Sequence, residues 1–180
     1  MKHFRVIVIS VFLFFALLLL CTRRKNSITL LEKKLNQRFY DYRKIYPFLS
    51  ALKDNQQSIR EETDKVAKQK WKMWPEKHLY DKHKEWSIFP FFGFDVWVEE
   101  NCAKCPRICR LLKKIPGLKT AILSKLSPGT VLTPHYGWKD LSNHVLRSQY
   151  GIVSNDDCYI VVENEKRKIS KIIFEGNKNI

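Results

Sequence analysis

Hydrophobic and polar positions divide the chain into segments of different texture. Residues 6–21, VIVISVFLFFALLLLC, are uncharged and lie between Lys2 and Arg5 on one side and Thr22-Arg23-Arg24-Lys25 on the other. Wound as a helix, this run rises about 24 Å, which reaches the ~30 Å hydrocarbon core of a bilayer when Phe4 and Thr22 are drawn in. A cleaved secretory signal fits the charged start and the apolar run equally, but LLLLCTRRK offers no small-x-small cut site, so the pattern predicts a retained transmembrane signal anchor over 1–22. Residues 23–44 are basic with scattered apolar positions (Leu30, Leu31, Leu35, Phe39) and read as a stem, leaving 45–180 as the folded domain. Within it, Phe48, Leu49, Leu52, Ile59 and Val66 recur on one face of a helix that starts near Pro47 and ends around Trp71 to Pro75.

From Trp86 the period changes. WSIFPFFGFDVWVEE, aromatic and β-branched around a Pro and a Gly, reads as strand broken by a turn. ICRLLKKI, 108–115, reads as a short helix closed by Pro116-Gly117. TAILSKL, TVLT, VLRSQYGIV, CYIVVE and KIIF are five short strand candidates separated by SPG, HYGWKDLSN, SNDD and NEKRK. Short strands in succession point to a sandwich or jelly roll, so the fold expected is mainly β with N-terminal helices behind a transmembrane anchor.

Charge adjusts this picture little. The net charge of +15 invites a nucleic-acid partner, but Lys and Arg are spread from Arg23 to Lys178 and interleaved with Glu61, Glu62, Asp64, Asp81, Glu85 and Glu99. No basic arm or aromatic-basic module is present, so the reading is no nucleic acid, and a surface that favours acidic partners or anionic membrane. Cysteine adds a compartment. NCAKCPRICR holds Cys102, Cys105 and Cys109, with Cys158 downstream. Zinc would want a second paired motif, which is missing, so a disulfide inside the cluster is the better reading. It needs an oxidising compartment, which makes the chain a single-pass membrane protein with its C-terminal domain in the lumen of the endoplasmic reticulum or Golgi.

The candidate chemistry centres on SPGTVLTPHYGW, 127–138, where His135 follows Pro134 and precedes Gly137 by two residues. A neutral imidazole is a good ferrous ligand, and a rigid proline before it helps to fix the ring. Arg147 offers a planar fork suited to a carboxylate. The stretch LKTAILSKLSPGTVLTPHYGWKDLSNHVLRSQYGIVSNDDCYIVVENEKRK resembles the aspartyl/asparaginyl β-hydroxylase family of iron(II)- and 2-oxoglutarate-dependent oxygenases, most specifically in PGTxxxPHxG followed by VLR. YPFLSALKDNQQSIREE, EWSIFPFF and NCAKCPRICRLLKKIPG extend the likeness to about Tyr46–Phe174.

The resemblance implies a double-stranded β-helix, with His135 as the first iron ligand and Ser124 and Arg147 as contacts of 2-oxoglutarate. Gly137 stands where most related oxygenases have a carboxylate, and Gln149 where the family usually has a histidine. It also implies a Cys102–Cys109 disulfide, leaving Cys105 as an addition. The family's second iron-binding histidine lies beyond a strand resembling KIIFEGNKNI, and GNKNI no longer follows the pattern. His78, His83 and His144 lack a spacing that would replace it. The chain as written is therefore expected to be a C-terminally truncated jelly roll, with the apolar faces of Ile160, Val162, Ile172 and Phe174 exposed, and not to turn over. Two functions follow: a membrane-anchored dioxygenase hydroxylating Asp or Asn in protein substrates, inactive in this form, or a non-catalytic membrane-anchored protein that binds substrate or pairs with a full-length relative.

Overall fold

Phe39–Tyr40 form a short strand, β1, and Tyr42–Ile45 a single helical turn, α1. In the computed structural model, which describes residues 37–136, 145–169 and, by backbone alone, 172–175, these open a unit spanning Arg38–Ile180. Residues 38–44, the end of the predicted stem, thus supply two of its elements. Asp41 caps α1, its carboxylate accepting the Arg43 amide at 3.1 Å. A 3-10 turn at Pro47–Leu49 leads to α2 (Ser50–Asp54) and then α3 (Gln56–Ala67). The single helix expected here is broken at Asn55, whose amide side chain donates to the Ala51 carbonyl at 2.8 Å and competes for the backbone acceptor. Leu49, Ile59 and Val66 are buried as expected, while Phe48 is 51% exposed.

The helix also ends earlier than its pattern suggests. Lys72–Met73 already form β2, antiparallel to the long strand β3, Trp86–Gly93. β3 turns into β4 (Val96–Trp97) and pairs on its other edge with β5 (Thr120–Leu126), giving a four-stranded antiparallel sheet. Pro90 sits inside β3 without an N–H to donate, and the register with β5 slips between Pro90 and Phe92. One face of the sheet, Phe89, Phe91 and Leu123, packs on Ile59 and Val66 of α3. Packed on the same cluster are α4 (Glu99–Lys104) and α5 (Pro106–Leu112), which bring Cys102, Cys105, Ile108 and Cys109.

The remaining strands pair separately. β6 (Arg147–Tyr150) and β1 flank β9 (Ile172–Glu175) in a three-stranded sheet, and β7 (Tyr159–Val162) and β8 (Glu165–Lys168) form a hairpin. The fold is thus a mixture of helix and antiparallel sheet, not mainly β, and the described strands do not by themselves close a jelly roll. Two expectations are corrected. Ile160 and Val162 are not exposed: they are buried with Phe39, and Ile169 packs against them, because β7 turns alternate side chains inward. TVLT is not a strand; only Leu132 makes an isolated bridge, to Tyr80. No helix among the described residues is long and apolar enough to cross a membrane. The apolar run 6–21, Cys21, Gly137 and His144 lie outside the described residues.

Candidate functional site

The PGT sequence after β5 builds a tight turn. The Thr130 amide donates to the Ser127 carbonyl at 3.2 Å and Gly129 takes φ +70°. Proline then glycine at the two central positions is the type II turn chemistry, since only the third residue needs a positive φ. Side chains lock it further. The Ser127 hydroxyl accepts the Glu85 amide at 3.0 Å, and the Lys84 ammonium donates to the Pro128 carbonyl at 2.8 Å. The chain then runs back along the Leu79–Tyr80 segment, where the Thr133 amide donates to the Leu79 carbonyl at 2.7 Å.

That tether sets His135 beside Trp86, ring centroids 6.5 Å apart. The His135 Nδ1 lies 2.7 Å from the Thr133 carbonyl oxygen. A carbonyl can only accept, so Nδ1 carries the proton in the neutral ring and Nε2 presents a lone pair. A histidine held this way is prepared to donate to a metal, because the backbone carbonyl fixes both tautomer and ring plane. The ring is partly exposed, so Nε2 is not sealed in the core.

Trp86 ties this histidine to the sheet. Its indole N–H donates to the Ser124 hydroxyl at 2.9 Å, its ring stacks on Trp74 at 4.5 Å and meets Tyr80 edge-on at 5.9 Å. Trp86, Ile88, Leu79 and Tyr80 pack on the face of β3 opposite the Phe89–Phe91 core. Ser124 projects to the same side, opposite Ile88 across the β3–β5 ladder. Ile122 and Leu126, two residues to either side of it on β5, are 42% and 43% exposed.

The structure therefore brings together two of the three predicted contact residues, Ser124 and His135, through a tryptophan that sequence reasoning did not single out. Trp86 opens the EWSIFPFF strand, and nothing in its spacing marks it; its role depends on the β3–β5 register. Arg147 lies on β6 in the other sheet, half-buried, and among the described residues no hydrogen bond or ion pair joins it to Ser124 or His135. His78 and His83 precede β3 and make no metal cluster: among the described residues no group of three or more His, Cys, Asp and Glu side chains is gathered to hold an ion.

Behind the opposite face, Cys102 and Cys109 are joined as a disulfide that clips α4 to α5. Cys105 between them stays a free, buried thiol. Burial, followed by the neighbouring Glu62 carboxylate, pushes its pKa up to about 11, so it is a poor nucleophile or metal donor near neutrality.

Comparison with known proteins adds to this geometry. The family model described as aspartyl/asparaginyl beta-hydroxylase matches residues 53–171. Aspartate beta-hydroxylase domain-containing protein 2 of Rattus norvegicus is 39% identical over 87 residues, 45% of this chain and 24% of that protein. The Homo sapiens protein of the same description is 38% identical over 87 residues, 45% of this chain and 23% of its own length. An ornithine lipid ester-linked acyl 2-hydroxylase of Rhizobium tropici is 31% identical over 129 residues, 67% of this chain and 45% of that enzyme. The chain thus spans less than half the length of these curated relatives.

Proposed function

As the chain belongs to the aspartyl/asparaginyl beta-hydroxylase family, we propose that the face made by β3, β5 and the His135 loop is part of an iron(II)- and 2-oxoglutarate-dependent hydroxylase site acting on Asp or Asn of a protein. The observation that carries the reading is the imidazole itself: Nδ1 committed to the Thr133 carbonyl, Nε2 left as a donor beside Trp86 and Ser124. On this reading Ser124 and Arg147 are the contacts for 2-oxoglutarate, within a jelly roll, and residues 6–21 anchor the chain in the membrane of the endoplasmic reticulum or Golgi with the domain in the lumen.

The residues fit only part of such a centre. Ferrous iron with 2-oxoglutarate would supply the oxygen chemistry, but the described residues offer one imidazole where a competent site needs further donors. What these residues do is local: Thr133 fixes the tautomer, and Trp86 holds the Ser124 hydroxyl in place.

A second substrate class has its own support. Ile122 and Leu126 flank Ser124 on the same strand and are open to solvent, a lining suited to an acyl chain rather than a carboxylate. The likeness to the ornithine lipid acyl hydroxylase points the same way. Succinate formation from 2-oxoglutarate by the full 180-residue chain with ferrous iron tests the reading. The expected result is background turnover, together with perturbation of His135 resonances by cobalt(II) that His135→Ala removes. Succinate release that depends on His135 would show the ligand set to be complete; cobalt binding that ignores His135 would dismiss the site.

A further inference from the structure

One end of the molecule offers apolar side chains to solvent among lysines. Gly93 pairs with Val96, so the β3–β4 hairpin turns on two residues, Phe94 and Asp95, with φ of 52° and 59°. Turns of this kind ordinarily use Asn-Gly or Gly-Gly, because a bulky side chain disfavours positive φ. Here a phenylalanine is kept at the tip and is 73% exposed, with Val96 63% exposed beside it. A large apolar side chain held at a positive φ and mostly exposed is presented to whatever meets this surface.

A second apolar pair lies against the same stretch of chain. β5 begins with Thr120 opposite Gly93, which sets Lys119 at the flank of the turn. A few residues back along that loop, the Pro116 carbonyl accepts the Tyr46 hydroxyl, so the segment holding Ile45 and Phe48, 49% and 51% exposed, adjoins it. Lys44, Lys113, Lys114 and Lys119 are exposed on these segments; the exposed carboxylates there are Asp95, Glu99 and Glu100, the last paired with Lys104 at 2.8 Å. Glu99 pairs with Lys113 at 3.5 Å, and Lys113 also lies 5.0 Å over the Trp97 ring.

We propose that this end docks on the surface of an anionic lipid bilayer, with Phe94, Val96, Ile45 and Phe48 entering the headgroup boundary and the lysines held at lipid phosphates. Separate apolar points between long cationic stems suit a fluid interface, where each side chain finds its own depth and the ammonium groups stay at headgroup level. The exposed lysines and the chain's net charge of +15 match the negative potential of an anionic bilayer surface. The contact is local to this end of the domain, and so is separable from any insertion by residues 6–21.

Peptide-level hydrogen exchange on the full chain tests it, with vesicles of phosphatidylcholine alone and with about 30% phosphatidylserine added. The expected result is exchange slowed about tenfold over residues 43–49 and 92–97 with the anionic vesicles only, and restored by Phe94→Gly with Val96→Ser. Phe94→Gly relaxes the turn, so loss of protection in that variant is not unfolding; unchanged exchange of the core amides of α3 and β5 serves as the fold control. Equal exchange with both lipids would overturn the proposal, even if the chain floats with the vesicles. So would protection by soluble polyglutamate and not by vesicles, which would mean an acidic protein partner.

Discussion

A carboxylate buried without partners would carry a heavy desolvation cost, yet Glu62, in α3, is 5% exposed. Its two oxygens accept the Arg107 and Ile108 amides at 2.9 Å each, two of the unpaired donors at the start of α5. Glu62→Ala should therefore destabilise the domain by about 2–3 kcal/mol in urea unfolding, the cost of stranding those amides; a loss under about 0.5 kcal/mol would mean water replaces the carboxylate. Cys105 makes a pH prediction. Its folded pKa is raised above the ordinary thiol value of 9.0 to about 11, so the unfolded chain loses the proton first as pH climbs. Stability from this group is complete below the unfolded pKa and declines as pH rises toward the folded one. Melting temperatures from pH 8 to 11 should fall more steeply for the native chain than for Cys105→Ala. At this scale the sequence was partly legible. Pro128-Gly129 announced a turn and His135 its imidazole, since both signals are local. Trp86 and Glu62 were not, because each acts on a residue tens of positions away.

Elements were legible where burial imposes a period. β3, β5, β7 and α5 stand close to where apolar patterning put them, each with side chains facing a core. β8 did not show itself: Glu165, Lys166, Arg167 and Lys168 are largely turned to solvent, so no alternation marks NEKRK, and the strand exists through its pairing with β7 across the turn at Glu163, φ 53°. TVLT failed in the opposite direction. Its apolar residues suggested a strand, but Val131 is 76% exposed and the segment serves to carry His135 past Leu79 and Tyr80. The α4–α5 pair relies on its covalent clip. Replacing both Cys102 and Cys109 by serine opens a loop of sequence separation 7 and should cost about 2–3 kcal/mol by loop entropy, read as a lower urea midpoint with an unchanged slope. An unchanged midpoint would mean that the clip adds nothing to the stability of the helix pair.

Among the described residues, apolar side chains gather in three clusters: Phe89, Phe91 and their helices behind the long sheet, Trp86 and its aromatic neighbours in front, and Phe39 with the β7–β8 hairpin. This partition explains how a face that bears His135 and Ser124 stays accessible while the sheet beneath it is rigid. It also explains why Ile160 and Val162 are covered, since Phe39, from the predicted stem, supplies the partner that the reading of 45–180 as the whole domain had left out. At the centre of the site, the hydrogen bond from Nδ1 to the Thr133 carbonyl orients His135 to donate to a metal through Nε2. Long-range 15N–1H NMR of histidine-labelled protein during a zinc titration measures this directly. Before metal, the neutral form of His135 is expected as the Nδ1–H tautomer, and metal is expected to shift Nε2 with Nδ1 little changed. An Nε2–H tautomer, or zinc binding that leaves the His135 nitrogens untouched, would contradict it.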